Sequence, residues 1–174
     1  MENITGVTSY LRERIEENGG DPDRETLNVI PAADGKPYYK DSKGDYWRAY
    51  KFITDATSYD QVENPEDFYQ SAVAFGNFQR LLADYPAGTL HETIKDFHNT
   101  PDRLEKFKKA VREDVCGRAA SVQKEISFIL EREELTHALY DLQQEGKLPL
   151  RVTHNDTKLN NIMIDNKTGK AICV

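Results

Sequence analysis

The chain has 174 residues, 23 Lys and Arg against 30 Asp and Glu, a formal net charge of −7 and 38% apolar residues. That length suits one ordinary domain or part of a larger one, and the core is expected to be thin: counting the 10 Gly in place of the 9 Tyr, as the usual average does, still leaves the apolar share below ~45–50%. The acidic balance argues against a nucleic-acid partner, which needs clustered Lys and Arg, and no apolar run of about 18 residues is present to span a membrane.

In chain order, the first element reads as a helix, because Ile4, Val7, Leu11 and Ile15 recur every three or four residues and Gly19-Gly20 stops the pattern. Its N-terminal stretch is charged throughout and lacks the apolar segment of a signal peptide, so a cytoplasmic protein is expected. Residues 27–53 change to a strand-like period. LNVIPA is a short apolar run, and KPYYK and DYWRAYKFI flank the turn Asp41-Ser42-Lys43-Gly44-Asp45. Two or three antiparallel strands are expected, the last from Tyr46 to Ile53.

The remainder reads as mainly helical. Pro65 opens a helix whose Phe68, Ala72, Phe75, Phe78, Leu81 and Leu82 form one apolar stripe. Thr100 is expected to cap a helix with Pro101 at its first position, and Leu104, Phe107 and Val111 continue its period. Two more helices are predicted over residues 118–130 and 133–145, stopped by Gly146. LPLRVTH then leads into a polar loop, and NIMID-NKTG-KAICV reads as a hairpin. Cys116 and Cys173 lack metal-ligand spacing and read as reduced thiols.

The chemistry concentrates in the loop His154-Asn155-Asp156-Thr157-Lys158-Leu159-Asn160-Asn161, an H-x-D-x-K-x-x-N pattern before the hairpin. Phosphoryl transfer asks a protein to orient a hydroxyl, hold Mg²⁺ on the phosphates and neutralise developing charge. A carboxylate at Asp156 can accept the hydroxyl proton, Lys158 can reach the transferring phosphate, and the Asn161 amide oxygen can face a metal. His154 reads as a residue that structures the loop rather than as a base. Other signals weigh less. His91-Glu92-Thr93-Ile94-Lys95 puts Lys95 where a zinc protease needs its second His. His98 and Asn99 read as capping groups or as neighbours of a substrate hydroxyl, and His137 as a surface residue.

The loop resembles the protein-kinase catalytic loop, with Asn155 in place of its arginine. It resembles still more closely the loop of the aminoglycoside phosphotransferase and choline kinase superfamily. Within that superfamily, HNDTKLNN, LPLRVT, DGKPYYKDSKGDYWRAYKFI, AFGNFQRLLADYP and LHETIKDFHNTPDR are similar to bacterial N-acetylhexosamine 1-kinases. The resemblance implies an α+β, partial protein-kinase-like two-lobe fold. Residues 1–53 would be the rest of an N-terminal lobe. Residues 54–174 would be an incomplete helical lobe carrying the catalytic loop (153–161) and the hairpin (162–174).

It further implies ATP and Mg²⁺ as cofactors and a small sugar as acceptor. Asp156 would be the catalytic base and Asn161 a metal ligand, with a second ligand expected beyond Val174. Asp165, in the hairpin turn, is rejected as its substitute. Tyr50, Lys51 and Phe52 would line an adenine site at the hinge, or simply pack as aromatics beside a sheet. Glu2 reads as a solvated helix-end residue or as the partner of a phosphate-binding lysine outside the chain. With no glycine-rich phosphate loop and one metal ligand short, residues 1–174 are expected to be inactive alone. A kinase scaffold kept only for binding is the alternative.

Overall fold

The structure is a computed structural model describing residues 1–62 and 64–174, and it is mixed α+β. It divides into two units, residues 1–91 with 151–174, and residues 92–150.

In the first unit, α1 spans Glu2–Glu17 and buries Leu11 and Ile15, as the apolar spacing requires. Its end explains the Gly pair. Gly20 N–H bonds the Ile15 carbonyl and Gly19 N–H the Glu16 carbonyl, both at 2.9 Å, and Gly19 takes a φ of 74° that a side chain would resist. Leu11 and Ile15 pack with Leu81, Leu82 and Val152, and Tyr10 meets Tyr85 edge-on at 5.3 Å.

The strand region differs from expectation. β1 (Val29–Ile30) pairs with β4 (Ala49–Tyr50), while β2 (Tyr39–Lys40) pairs with β3 (Tyr46–Trp47), all antiparallel. The expected single strand from Tyr46 to Ile53 is therefore two short pieces. Its two halves hydrogen-bond to different partners, and beyond Tyr50 only the Lys51 N–H continues the ladder, to the Asn28 carbonyl at 2.9 Å. The turn between β2 and β3 forms as read. The Asp41 carboxylate accepts from Lys43 N–H, Asp45 N–H and the Trp47 indole, and Gly44 adopts φ 90°.

α2 covers Pro65–Leu81 and starts in a capping box, with Asn64 and Asp67 each accepting from the other's backbone N–H. Its buried face is Gln70, Ser71, Ala74, Phe75 and Leu81, not the full expected stripe. Phe68 is 65% exposed and Ala72 is exposed, because the elements covering α2 pack on the Ser71–Phe75–Phe78 side. Against that side lies a three-stranded sheet of β5 (Ala56–Thr57), β6 (Met163–Asp165) and β7 (Ala171–Cys173), in the order β5-β6-β7. The hairpin β6–β7 matches expectation, whereas β5 was missed; two residues carry no readable alternation. Ile162 and Ile164 pack on Ala74 and Phe75, and the buried Gln70 amide oxygen accepts from Ala171 N–H at 3.0 Å.

In the second unit, α3 (Thr100–Glu113) packs with α5 (Glu133–Gln144), and α4 (Gln123–Leu130) lies between them in sequence; Leu104 of α3 and Ile126 of α4 are buried. The N-cap of α3 is Asn99 rather than Thr100, since the Asn99 carboxamide accepts from Asp102 N–H at 3.1 Å and moves Pro101 to the second helical position. The predicted helix from residue 118 begins as a 3₁₀ turn at Ala119–Val122, where Asp114, at φ 35°, accepts from Arg118 and Ala119 N–H. Lys108 links α3 to α5 through Glu133 at 2.6 Å. Among the described residues, no helix is long and apolar enough to cross a membrane.

Ile162 has 0% exposure and Phe68 65%, so truncating each to alanine should give opposite outcomes. Ile162→Ala is expected to cost about 2–5 kcal/mol in urea unfolding, and Phe68→Ala less than about 0.5 kcal/mol. Equal losses would refute this assignment of the α2 face.

Candidate functional site

The loop reaches its place through two apolar anchors. Val152 is buried with Leu11 and Leu82 just before it, and Ile162 is buried with Phe75 just after it. Arg151 donates to the Ala83 carbonyl, tying the entrance to the end of α2. Nine residues run between these anchors, and three features shape them. Asn155 takes a left-handed φ of 65°, and its side-chain oxygen accepts from the Thr153 hydroxyl at 2.5 Å. The His154 ring lies against Phe75 (5.4 Å) and Phe78 (6.0 Å), with Nδ1 buried and unbonded. A 3₁₀ turn at Leu159–Asn161 then returns the chain to the sheet.

This path brings Asp156, Lys158 and Asn161 together. Asn161 Nδ2 donates to both the backbone carbonyl and Oδ2 of Asp156, each at 2.8 Å. Lys158 Nζ lies 3.3 Å from the same Oδ2, and Lys158 N–H bonds the Asp156 carbonyl at 3.0 Å. One carboxylate oxygen is thus held twice, and among the described residues Oδ1 has no protein donor. The Asp156 side chain is 58% exposed and stays open to a substrate. The Asn161 hydrogen bond, followed by the Lys158 ammonium, lowers the Asp156 pKa below the ordinary carboxylate range. A carboxylate held ionised is a weak base but a strong hydrogen-bond acceptor.

The same amide settles which atom of Asn161 can face a cation. With Nδ2 spent on Asp156, Oδ1 makes no hydrogen bond to protein among the described residues. The Asn161 amide oxygen suits a hard cation such as Mg²⁺, which takes one or two side-chain oxygens together with phosphates. Among the described residues, no cluster of three or more His, Cys, Asp or Glu forms a ready-made metal cage. Asp165 is occupied elsewhere: Oδ1 caps the hairpin turn through Lys167 and Thr168, and Oδ2 pairs with Arg24 at 2.9 Å.

The expected hinge residues sit apart from this cluster. Tyr50 is in β4 under the Arg48 guanidinium (5.5 Å), Lys51 pairs with Asp23, and Phe52 is 80% exposed. Among the described residues, no hydrogen bond, ion pair or ring contact joins any of them to Asp156, Lys158 or Asn161. Glu2 meets His91, while His137 is exposed beside Asp141. Residues that sequence reading missed hold the loop from outside: Ser58 Oγ donates to the Ile162 carbonyl at 2.8 Å, and Asp60 accepts from Asn160 Nδ2 at 3.0 Å. No local pattern marks them, since each partner lies about a hundred residues away.

Because its folded pKa is depressed, ionised Asp156 favours the native state above its ordinary pKa, and that contribution disappears as pH falls through the folded value. Asn161→Ala should move the Asp156 pKa upward toward the ordinary value, as read by carboxyl carbon NMR; an unmoved titration would remove Asn161 as the cause. The loop and the hairpin that carries it fall within a longer match: a model of the phosphotransferase enzyme family aligns with residues 30–174. That match covers well over half of the chain, which therefore belongs to the phosphotransferase enzyme family, a group of kinase-type enzymes.

Proposed function

We propose that this chain serves an ATP- and Mg²⁺-dependent kinase acting on a sugar hydroxyl, with the anomeric hydroxyl of an N-acetylhexosamine as the specific acceptor. The observation that carries the reading is the Asp156–Lys158–Asn161 cluster on a loop anchored at both ends within a phosphotransferase family match. The sugar rests on the resemblance of residues spread along the chain, including 34–53, 74–86 and 90–103, to N-acetylhexosamine kinases. In the same reading, residues 1–53 belong to a small lobe and residues 54–174 to a helical lobe of a kinase-like fold.

Asp156 Oδ1 accepts the hydrogen bond of the acceptor hydroxyl and turns its oxygen toward the γ-phosphorus. The new O–P bond forms as the bond to the β,γ-bridging oxygen breaks, ADP leaves with that electron pair, and the hydroxyl proton passes to Asp156 and then to water. Lys158, paired with Oδ2, balances charge on the transferring group. Asn161 Oδ1 is the metal-directed atom, and Mg²⁺ supplies neutralisation of phosphate charge when bound. Mg²⁺ on a nucleotide ordinarily uses a further carboxylate, so residues 1–174 alone are expected to bind nucleotide without robust turnover.

Mg²⁺–ATP should shift the amide resonances of residues 156–161 and raise the melting temperature. No response to Mg²⁺–ATP in a longer chain that supplies the further carboxylate would favour a scaffold without catalysis. In a longer chain that supplies the further carboxylate, Asp156→Asn should lower kcat for N-acetylhexosamine phosphorylation about 10²–10⁴-fold with nucleotide affinity retained. Unchanged turnover would remove Asp156 from the reaction, and phosphorylation of other alcohols alone would overturn the sugar assignment.

A further inference from the structure

Three consecutive residues, Ser58, Tyr59 and Asp60, grip the far side of the catalytic loop. Ser58 Oγ donates to the Ile162 carbonyl at 2.8 Å. Tyr59 packs on the cluster of Ala74, Phe75, Ile162 and Ile164. Asp60 Oδ1 accepts from Asn160 Nδ2 at 3.0 Å. All three follow β5, which itself pairs with β6, so the segment is aligned with the hairpin before its side chains act.

The points of attachment matter more than their number. Asn160 and Ile162 are the residues on either side of Asn161. The 3₁₀ turn that carries Asn161 has only two backbone bonds of its own there, Asn161 N–H to the Lys158 carbonyl (3.0 Å) and Ile162 N–H to the Leu159 carbonyl (3.2 Å). Such a turn is short and its hydrogen bonds are poorly aligned, so external restraints decide how firmly it is held. Asn161 in turn holds Asp156 through two bonds from one amide nitrogen, which tolerates little rotation.

We propose that Asp60, through Asn160 and with Ser58 on the opposite flank, is a positioning residue that sets the orientation of the Asn161 carboxamide. Nδ2 is thereby directed at Asp156 and Oδ1 presented to a metal–phosphate ligand. The geometric part stands on this structure alone; the ligand part rests on the kinase reading. Asp60 itself touches no reacting atom in this scheme.

The experiment compares the whole chain with Asp60→Ala, Asn160→Ala, the double variant, Ser58→Ala and the conservative Asp60→Asn. The readouts are the side-chain amide resonances of Asn161, hydrogen exchange at the Asn161 and Ile162 amides, and a titration with Mg²⁺–ATP. Asp60→Ala should shift the Asn161 side-chain resonances and speed exchange at both amides about threefold to tenfold, with Asn160→Ala alike and the double variant no worse than either. The Mg²⁺ needed for half of the ATP-induced shift should rise by a similar factor. Asp60→Asn keeps an acceptor oxygen and should restore the wild-type values. Ser58→Ala should speed exchange at Ile162 even if an Asp60 variant folds poorly. Unmoved Asn161 resonances and exchange in Asp60→Ala, or additive losses in the double variant, would overturn the positioning role. A wild-type chain blind to Mg²⁺–ATP would instead overturn the ligand part, leaving the resonances and exchange to decide the clamp.

Discussion

Burial of Ile162 and Ile164 against Ala74 and Phe75 is the constraint on which the site depends. The Asp156 loop has little regular structure of its own, and its polar side chains are exposed. A loop of that kind holds a defined shape only if its ends are fixed. Ile162 fixes one end inside the α2–sheet interface, and Val152 fixes the other inside the α1–α2 cluster. Hydrophobic burial thus supplies the energy, while the loop's hydrogen bonds supply direction.

Given those anchors, Asn161 acts as the local organiser. One amide nitrogen binds a backbone carbonyl and a carboxylate oxygen of the same residue, which closes the loop across five residues. This leaves an uncommitted oxygen on Asn161 and another on Asp156. It also lowers the Asp156 pKa, which favours the anion. The aromatic seat of His154 fits the same logic, since a ring against Phe75 and Phe78 restrains the backbone just before Asp156 without entering the chemistry.

Longer-range polar links surround this centre. Arg24 binds both the Thr54 carbonyl and Asp165, so the turn after α1 holds the segment leading to β5 and the end of β6 together. Lys51 pairs with Asp23, and Arg12 reaches the same carboxylate at 3.2 Å. Lys51 is therefore committed to an ion pair in this structure. Phe52, by contrast, is left exposed beyond the last ladder bond of β4.

Much was legible from residue order alone. The helical period of α1, the Gly19-Gly20 stop, the Asp41–Asp45 turn, the β6–β7 hairpin and the H-x-D-x-K-x-x-N loop all arise from short-range rules acting within a few residues. Boundaries failed where two local signals competed, as when Asn99 took the cap in place of Thr100. The exposed Phe68, the division of Tyr46–Ile53 between two partners, and β5 were not legible, because each depends on what lies across the chain. The same holds for Asp60 with Asn160 and for Arg24 with Asp165. The sequence by itself determined which polar groups the loop offers, because side-chain chemistry and turn propensity are local properties. Only the tertiary structure decided which oxygens are engaged, which remain free and what braces them, because those depend on burial and pairing between segments up to 141 residues apart.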